Sequence, residues 1–271
     1  MTRNRRGFTL VELLVVTVLG SIVLLAALQI LVTNQRTYTA QNAVITGQQS
    51  TRMALEVLFN ELREVSPTGG DILVMSSDSV RVRLMRKFSL VCETDFSGGN
   101  PEITVLNLPG RRFEANDSVF VFADNDEKDD DDDVWIRAQV TQADTTESCP
   151  QNGEPATTLR FNGQSALFTA DSVGIGAPVR SHSQFTFGLT NYSGDSYLGR
   201  RERGAGMVPV VGPIRAGNGL AFEYRDALGN TTATATNVRQ IVVTVRTGSG
   251  VMNSLNQEVA DSITAWVYTR N

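Results

Sequence analysis

Leu13 to Val32 form a run of 20 residues without an ionisable side chain, and this run constrains the fold more than any other feature. As an α-helix it spans about 30 Å, the thickness of the hydrocarbon core of a bilayer. Arg3, Arg5 and Arg6 precede it. Because basic flanks stay on the cytoplasmic side of a membrane, the sequence predicts a cytoplasmic N-terminus and an exported C-terminal body.

A cleavable secretory signal peptide is the alternative for this segment. Such a peptide has a shorter apolar core, which is followed by small residues at the cleavage site. Here the apolar run is longer and is followed by TNQRTYTAQN, whereas the small residue, Gly7, precedes the run. The pattern therefore favours a helix that stays in the membrane.

The segment RRGFTLVELLVV resembles the type III signal of type IV pilins and type II secretion pseudopilins. That signal has a basic leader, a glycine, a phenylalanine and then an apolar helix with glutamate at the fifth position after the glycine. Gly7, Phe8 and Glu12 occupy these positions. The resemblance implies that a prepilin peptidase cuts between Gly7 and Phe8 and that the new amine of Phe8 is N-methylated.

Glu12 is a carboxylate in an otherwise apolar helix, where an unpaired charge is unfavourable by several kcal/mol. The resemblance supplies a partner, the amine of Phe8, which lies one helical turn away in the same chain. In a filament, the amine of a neighbouring subunit's Phe8 would instead pair with Glu12 and set the subunit register. The alternative is a glutamate at the membrane interface of an ordinary anchor.

The first proline is Pro67, so one helix is predicted from about Phe8 to Val65. An apolar stripe at positions i, i+3, i+4 and i+7 near its end predicts a face that packs on a sheet. The stripe consists of Leu55, Leu58, Phe59 and Leu62.

Beyond Pro67 the apolar residues recur every second position, which is typical of strands. Val80, Val82, Leu84, Arg86, Phe88 and Leu90 are predicted to share one face. Further strands are predicted at SVFVFA, VWIRAQV, TTLRF, SQFTFGLT, NGLAFEYRD, RQIVVTVRT and SITAWVYTR, with a turn at DALGN. The fold class is therefore α+β, with a long N-terminal hydrophobic α-helix packed on an antiparallel β-sheet head. The resemblance to type IV pilins implies that this arrangement is the pilin fold.

The patterns, together with the resemblance, predict four segments. Residues 1–7 are expected to be a leader peptide, 8–32 a transmembrane and filament-core helix, 33–66 the amphipathic half of the same helix, and 67–271 an exported β-rich head. The head is large for a single pilin, which predicts either two β-layers or a large insertion.

Two further stretches resemble PilW-like minor pilins and J-type pseudopilins. The first is ALEVLFNELREVSP, with the triplet Glu61-Leu62-Arg63; the second is the ordered series SYLGRRERG, PVVGPIRAGNGLAFEYRDALGN and NVRQIVVTVRTGSG. The resemblance implies a minor pilin of a type IV pilus that helps to start or cap the filament. It also implies other pilins, the prepilin peptidase and the inner-membrane assembly platform as partners. A J-type pseudopilin of a type II secretion system is the alternative.

The chain is acidic, and one segment is strongly so. The formal net charge is -5; without Arg3, Arg5 and Arg6, 21 basic residues stand against 29 acidic ones, which argues against a broad nucleic-acid-binding face. In DNDEKDDDDDVW, the side chains of Asp129, Asp131 and Asp133 alternate, as oxygen ligands of Ca²⁺ often do. The alternatives are a calcium site and a solvated acidic hairpin loop without any cofactor.

The two cysteines, Cys92 and Cys149, have no CxxC spacing, which disfavours zinc and thioredoxin-like chemistry. In an exported head they are predicted to form a disulfide. The single histidine, His182, is predicted to lie in a polar surface loop.

No GxSxG, HExxH or GxxxxGK[ST] motif occurs, so catalysis is not expected. The cluster Arg200, Arg201 and Arg203 would serve a DNA-uptake pilin, but an ordinary salt-bridged loop is the stronger interpretation. An anchored enzyme or binding module is the remaining alternative.

Overall fold

A computed structural model describes residues 9–110, 112–124, 133–162, 168–169, 172–252 and 257–270. The chain begins with one helix, α1 (Leu10–Leu62), and continues with strands. In chain order these are β1 (Ile72–Met75), β2 (Val80–Asp95), β3 (Glu102–Leu106), β4 (Ser118–Ala123), β5 (Val134–Asp144), β6 (Ala156–Phe161), β7 (Pro178–Tyr192), β8 (Asp195–Glu202), β9 (Val208–Ile214), β10 (Leu220–Arg225), β11 (Gln240–Met252) and β12 (Glu258–Tyr268). A short 3₁₀ helix, Ala235–Asn237, precedes β11.

Helix α1 is uninterrupted over 53 residues because no proline falls within it. It ends at Leu62, three residues before the predicted end, and the backbone N–H of Arg63 still donates to the carbonyl of Phe59. The predicted apolar stripe is partly wrong. Leu58 and Leu62 are fully buried, but Phe59 is 42 % exposed.

The buried face of α1 is rotated toward smaller residues. Thr51 and Ala54 lie on the same face as Leu58 and Leu62, at helical spacing, and are fully buried. One turn earlier, Gly47 lies against β11, where an added Cβ would stand 2.8 Å from Oγ1 of Thr247. Small side chains therefore let the helix approach the sheet closely, and this requirement overrides the apolar periodicity.

A three-stranded antiparallel sheet has the order β10-β11-β12. The C-terminal half of α1 packs on this sheet and on β9. Its inner face joins the helix in the first core, which includes Leu58 and Leu62 of α1, Phe187 of β7, and Ile241 and Val243 of β11. This helix-on-sheet arrangement confirms the predicted α+β pilin fold.

Strands β1 to β9 form the larger sheet of the head, and six of them close into a ring. Strand β2 pairs with β3, β3 with β6, β6 with β5, β5 with β4, β4 with β7, and β7 again with β2, all antiparallel. A second core fills this ring and includes Leu159, Phe161 and Phe168. The rings of Phe161 and Phe168 stack with centroids 4.9 Å apart. Among the described residues, the head thus carries two large cores, one under the helix and one inside the ring.

Strand β2 belongs to both cores, and a bulge separates its two parts. The pairing of β2 with β7 shifts register between Met85 and Lys87. Because side chains alternate along a strand, a one-residue shift exchanges the two faces. Phe88, which was predicted to face inward, is 46 % exposed, and Ser89 is buried in its place.

Most strands of the head were predicted from the sequence. The seven segments predicted as strands and the alternating run at residue 80 all lie in strands, and the turn at DALGN is closed by a hydrogen bond from Gly229 N to Asp226 O. Strands β1, β3, β8 and β9 were not predicted, and the segment of β8 that carries Arg200 and Arg201 was expected to be a loop.

Candidate functional site

The first turn of α1 is built around Thr9. Its hydroxyl Oγ1 accepts a hydrogen bond from the backbone N–H of Glu12 at 3.2 Å, and its carbonyl accepts from Leu13 N at 3.1 Å. This is an N-cap, and the acidic residue in the first turn also complements the helix dipole. Gly7 and Phe8 lie outside the described residues, so the predicted processing site is not part of this geometry.

The side chain of Glu12 is exposed and makes no hydrogen bond or ion pair with any residue that the structure describes. It lies in the first turn of a helix whose neighbouring side chains are apolar. A carboxylate in this position is suited to a positively charged partner from outside the described part of the chain. The predicted partner, the amine of Phe8, stays a prediction.

The N-terminal half of α1 is exposed on all sides. Sixteen large apolar side chains between Leu10 and Val32 are each 45 to 82 % exposed. No part of this window is buried within the chain, and the helix is long and apolar enough to cross a membrane. Full burial of one such side chain contributes about 1.5–3 kcal/mol, so covering the whole segment contributes on the order of 20 kcal/mol or more. This surface requires a bilayer or other helices around it.

Ion pairs hold the C-terminal end of α1 to the sheet. Glu61 pairs with Arg86 of β2 at 3.1 Å and with Arg200 of β8 at 3.5 Å. Both guanidinium groups also lie over the ring of Phe185, at 4.3 and 5.4 Å from its centroid. The carboxylate of Glu61 therefore connects two strands to the helix.

The same contacts correct the interpretation of the basic cluster. Arg200 and Arg201 lie in the terminal part of β8 rather than in a loop, and Arg200 is engaged by Glu61. Arg203 follows the strand and is exposed. The three arginines therefore do not present one continuous basic face.

Cys92 of β2 and Cys149 of the connection between β5 and β6 form a disulfide, with their Cα atoms 5.7 Å apart. Both side chains are buried beside Ala156. The carbonyl of Cys92 also accepts a hydrogen bond from Gln151 Nε2 at 2.6 Å. The bridge thus fastens the β5–β6 connection to the far end of β2.

The acidic run lies between β4 and β5 in the sequence, and most of its residues are outside the described part of the chain. Asp129 and Asp131 lie outside the described residues, and Asp133 is an exposed residue directly before β5. Among the described residues, no group of three histidine, cysteine, aspartate or glutamate side chains converges as a metal site would. Calcium binding by Asp129, Asp131 and Asp133 stays a prediction.

His182 is buried, not in a surface loop as predicted. It lies within β7, between Met85 of β2 and Ser118 of β4, and is 8 % exposed. Its ring stacks on Phe120 with centroids 4.5 Å apart. Burial, together with the nearby Arg83, Arg137 and Arg180, lowers the pKa of His182 to about 4. The segment RSHSQ carries no local signal of this, because the burial comes from β2 and β4, which flank His182 and are distant in sequence.

Comparison with known families agrees with the geometry of α1. Residues 2–28 match a family described as "Prokaryotic N-terminal methylation motif". No curated protein and no solved structure matches the chain. The motif and the exposed apolar helix together support a membrane-anchored, type IV pilin-like subunit, which is processed by a prepilin peptidase and assembles with other pilins.

Proposed function

We propose that this chain is a minor pilin of a type IV pilus, PilW-like, which is incorporated in few copies and helps to start or cap the filament. Its leader is removed between Gly7 and Phe8, and the amine of Phe8 is methylated. The protein then spans the inner membrane once, with the head on the periplasmic side, until the assembly platform moves it into the filament. The proposal assigns the chain no catalytic activity.

The observation that carries this proposal is the combination of an exposed apolar helix segment with a carboxylate, Glu12, that has no partner among the described residues. The exposed side chains on all sides of residues 10–32 can be covered by lipid before assembly and by neighbouring helices afterwards. The carboxylate of Glu12 needs a cation in either environment. A neighbour's Phe8 amine provides one only in the correct stacking register, so the pair selects that register.

The attachment of the head also suits a filament subunit. The C-terminal half of α1 packs on β9, β11 and β12. Glu61 connects the end of this helix to β2 and β8. The helix and the first core therefore move as one unit when the helix is drawn from the membrane. The ring formed by β2 to β7 lies beside this unit and enlarges the surface that the head presents.

The test is a Glu12→Ala replacement in the native host, with Glu56→Ala as the matched control. Glu56 is an exposed carboxylate on the same helix outside the apolar segment. We expect Glu12→Ala to be cleaved normally but to be incorporated poorly, measured as protein in sheared filaments relative to the membrane fraction. The control should behave as wild type. Wild-type incorporation of Glu12→Ala would overturn the register role of the carboxylate.

A J-type pseudopilin of a type II secretion system would have the same helix and the same processing. The two roles differ in the apparatus that uses the subunit. Deletion of the gene should reduce surface filaments if the pilus assignment is correct, and should reduce secretion of exoproteins without loss of long filaments if the pseudopilin assignment is correct.

A further inference from the structure

A cavity of about 290 Å³ lies where the end of α1, the ring and the C-terminal segment meet. Arg270 N donates to the carbonyl of Val65 at 3.0 Å, and this bond holds the last residues of the chain against the end of the helix. The walls come from β2, β4 and β7. The charged residues of the lining are Arg63, Arg83, Arg180 and Arg270, together with Glu64 and Asp71.

The lining carries more positive than negative charge. Four arginines face two carboxylates, Glu64 and Asp71, so the ionised wall has a surplus of two positive charges. None of the four arginines forms a salt bridge with a described residue. Because the chain as a whole is acidic, this surplus is a local feature.

Asp71 neutralises the wall only in part. Its Oδ2 accepts a hydrogen bond from the backbone N–H of Ser66 at 3.1 Å, and burial raises the pKa of its carboxyl. Burial lowers the pKa of the guanidinium groups of Arg83 and Arg180, although Asp71 opposes this effect at both. The cations in the wall are therefore desolvated without full compensation, which an anion would supply.

Three nitrogen atoms of residues that line the cavity have no hydrogen-bond partner among the described residues. They are Nε of Arg83, Nε of Arg180 and Nδ1 of His182, and all three are buried. A buried polar group without a partner is unfavourable by about 1–3 kcal/mol. The lining of this one cavity therefore has hydrogen-bonding capacity that the described residues leave unused.

Arg180 is held in place before any ligand arrives. Its guanidinium lies 5.0 Å from the ring centroid of Phe120 and 4.6 Å from that of Trp135. Arg83 is fixed by a hydrogen bond from Nη1 to the carbonyl of Gly70 at 2.7 Å. Guanidinium groups fixed in this way are suited to oxyanions, because their charge and remaining N–H donors are held in one orientation.

We propose that this cavity binds the phosphate group of a small soluble phosphate monoester, with Arg83, Arg180 and His182 at its base and Arg63 and Arg270 at its rim. A phosphate dianion matches the surplus of two charges. The cavity is larger than one phosphate needs, and Met85 and Phe120 give it an apolar wall for the rest of the ligand.

The distance of the cavity from the membrane favours a soluble phosphate ligand over a lipid headgroup. Leu62 follows Val32 by 30 residues, so the cavity stands about 45 Å along the helix from the end of the apolar segment. A headgroup of the membrane that holds the helix is too far away to reach it.

The test uses the single histidine of the chain as a probe. The full-length protein, labelled at histidine, is held in micelles of an uncharged detergent, and the imidazole NMR signal is followed against pH with inorganic phosphate, with glycerol phosphate, and with sodium chloride at matched ionic strength. We expect both phosphates to raise the pKa of His182 above about 4, because an anion favours the imidazolium, and chloride to leave it unchanged.

Variants locate the effect. Arg180→Gln should weaken phosphate binding about tenfold or more, as the loss of a charge-assisted hydrogen bond does. Arg63→Gln and Arg270→Gln, both at exposed rim positions, should weaken it without disturbing the fold. Arg203→Gln removes the same charge from an exposed site outside the cavity and should bind as wild type.

Three results would overturn the proposal. The first is an His182 signal that phosphate does not move. The second is an equal loss of binding in Arg203→Gln and in the cavity variants. The third is a response only in phosphatidylcholine vesicles that contain phosphatidylglycerol, which would assign the site to a lipid.

Discussion

Removal of the Cys92–Cys149 disulfide should destabilise the ring far more than the helix-on-sheet layer. The bond closes a loop with a sequence separation of 57, and β3, β4 and β5 of the ring lie inside that loop. The chain-entropy relation for a loop of this length gives about 4 kcal/mol at 25 °C. With a urea dependence of about 2 kcal/mol per molar, the unfolding midpoint of the ring should fall by about 2 M.

The two tryptophans allow the two cores to be followed separately. Trp135 lies in β5 of the ring and Trp266 in β12 of the three-stranded sheet. Urea unfolding of the full-length protein in micelles is recorded by fluorescence in a Trp266→Phe background, which reports the ring, and in a Trp135→Phe background, which reports the other layer. The Cys92→Ala, Cys149→Ala double variant should shift the first midpoint strongly and the second weakly.

A reductant provides the matched control for this experiment. It should lower the ring midpoint of the parent protein to that of the double variant, and it should leave the double variant unchanged. An unchanged Trp135 midpoint, or an equal shift in both reporters, would refute the assignment of the disulfide's effect to the ring.

The remaining predictions concern the first core and the cavity. Leu58→Ala should lower the free energy of unfolding by about 2–5 kcal/mol in the Trp266 reporter and Phe59→Ala by less than half of that, because only Leu58 is fully buried; equal losses would contradict the corrected helix face. Glu61→Gln should lower it by about 1 kcal/mol at low salt and by less at high salt, whereas Glu56→Gln should have no effect; a salt-independent loss would refute an ionic origin. In phosphate-free buffer, stability should fall by up to about 3 kcal/mol as pH drops from about 6.5 to about 4, because the unfolded histidine binds a proton that His182 in the folded protein does not. His182→Gln should flatten this dependence, and identical slopes in both proteins would show that another group is responsible.

The sequence was informative where a local pattern decides the structure. The helix follows from an apolar run without proline, and the long strands follow from alternation. Phe88 shows the limit of the method: the bulge after Met85 depends on how β2 pairs with β7, about 100 residues later, and no local pattern encodes it.

The candidate cavity was beyond sequence analysis for the same reason. Arg83 and Arg180 lie on β2 and β7, which are distant in sequence, and only the closure of the ring brings them beside His182 and Arg270. By contrast, Glu12 could be singled out from the sequence because a charge inside an apolar helix near a basic leader is a local pattern.

The central claim is that this chain is a processed pilin-like subunit whose mature N-terminus is the amine that pairs with Glu12. The most direct test is mass spectrometry of the N-terminal peptide of the protein isolated from membranes of its native host. The account predicts a peptide that begins at Phe8 and carries one added methyl group on its amine. A peptide that begins at Met1, or at a residue beyond the apolar helix, would contradict it.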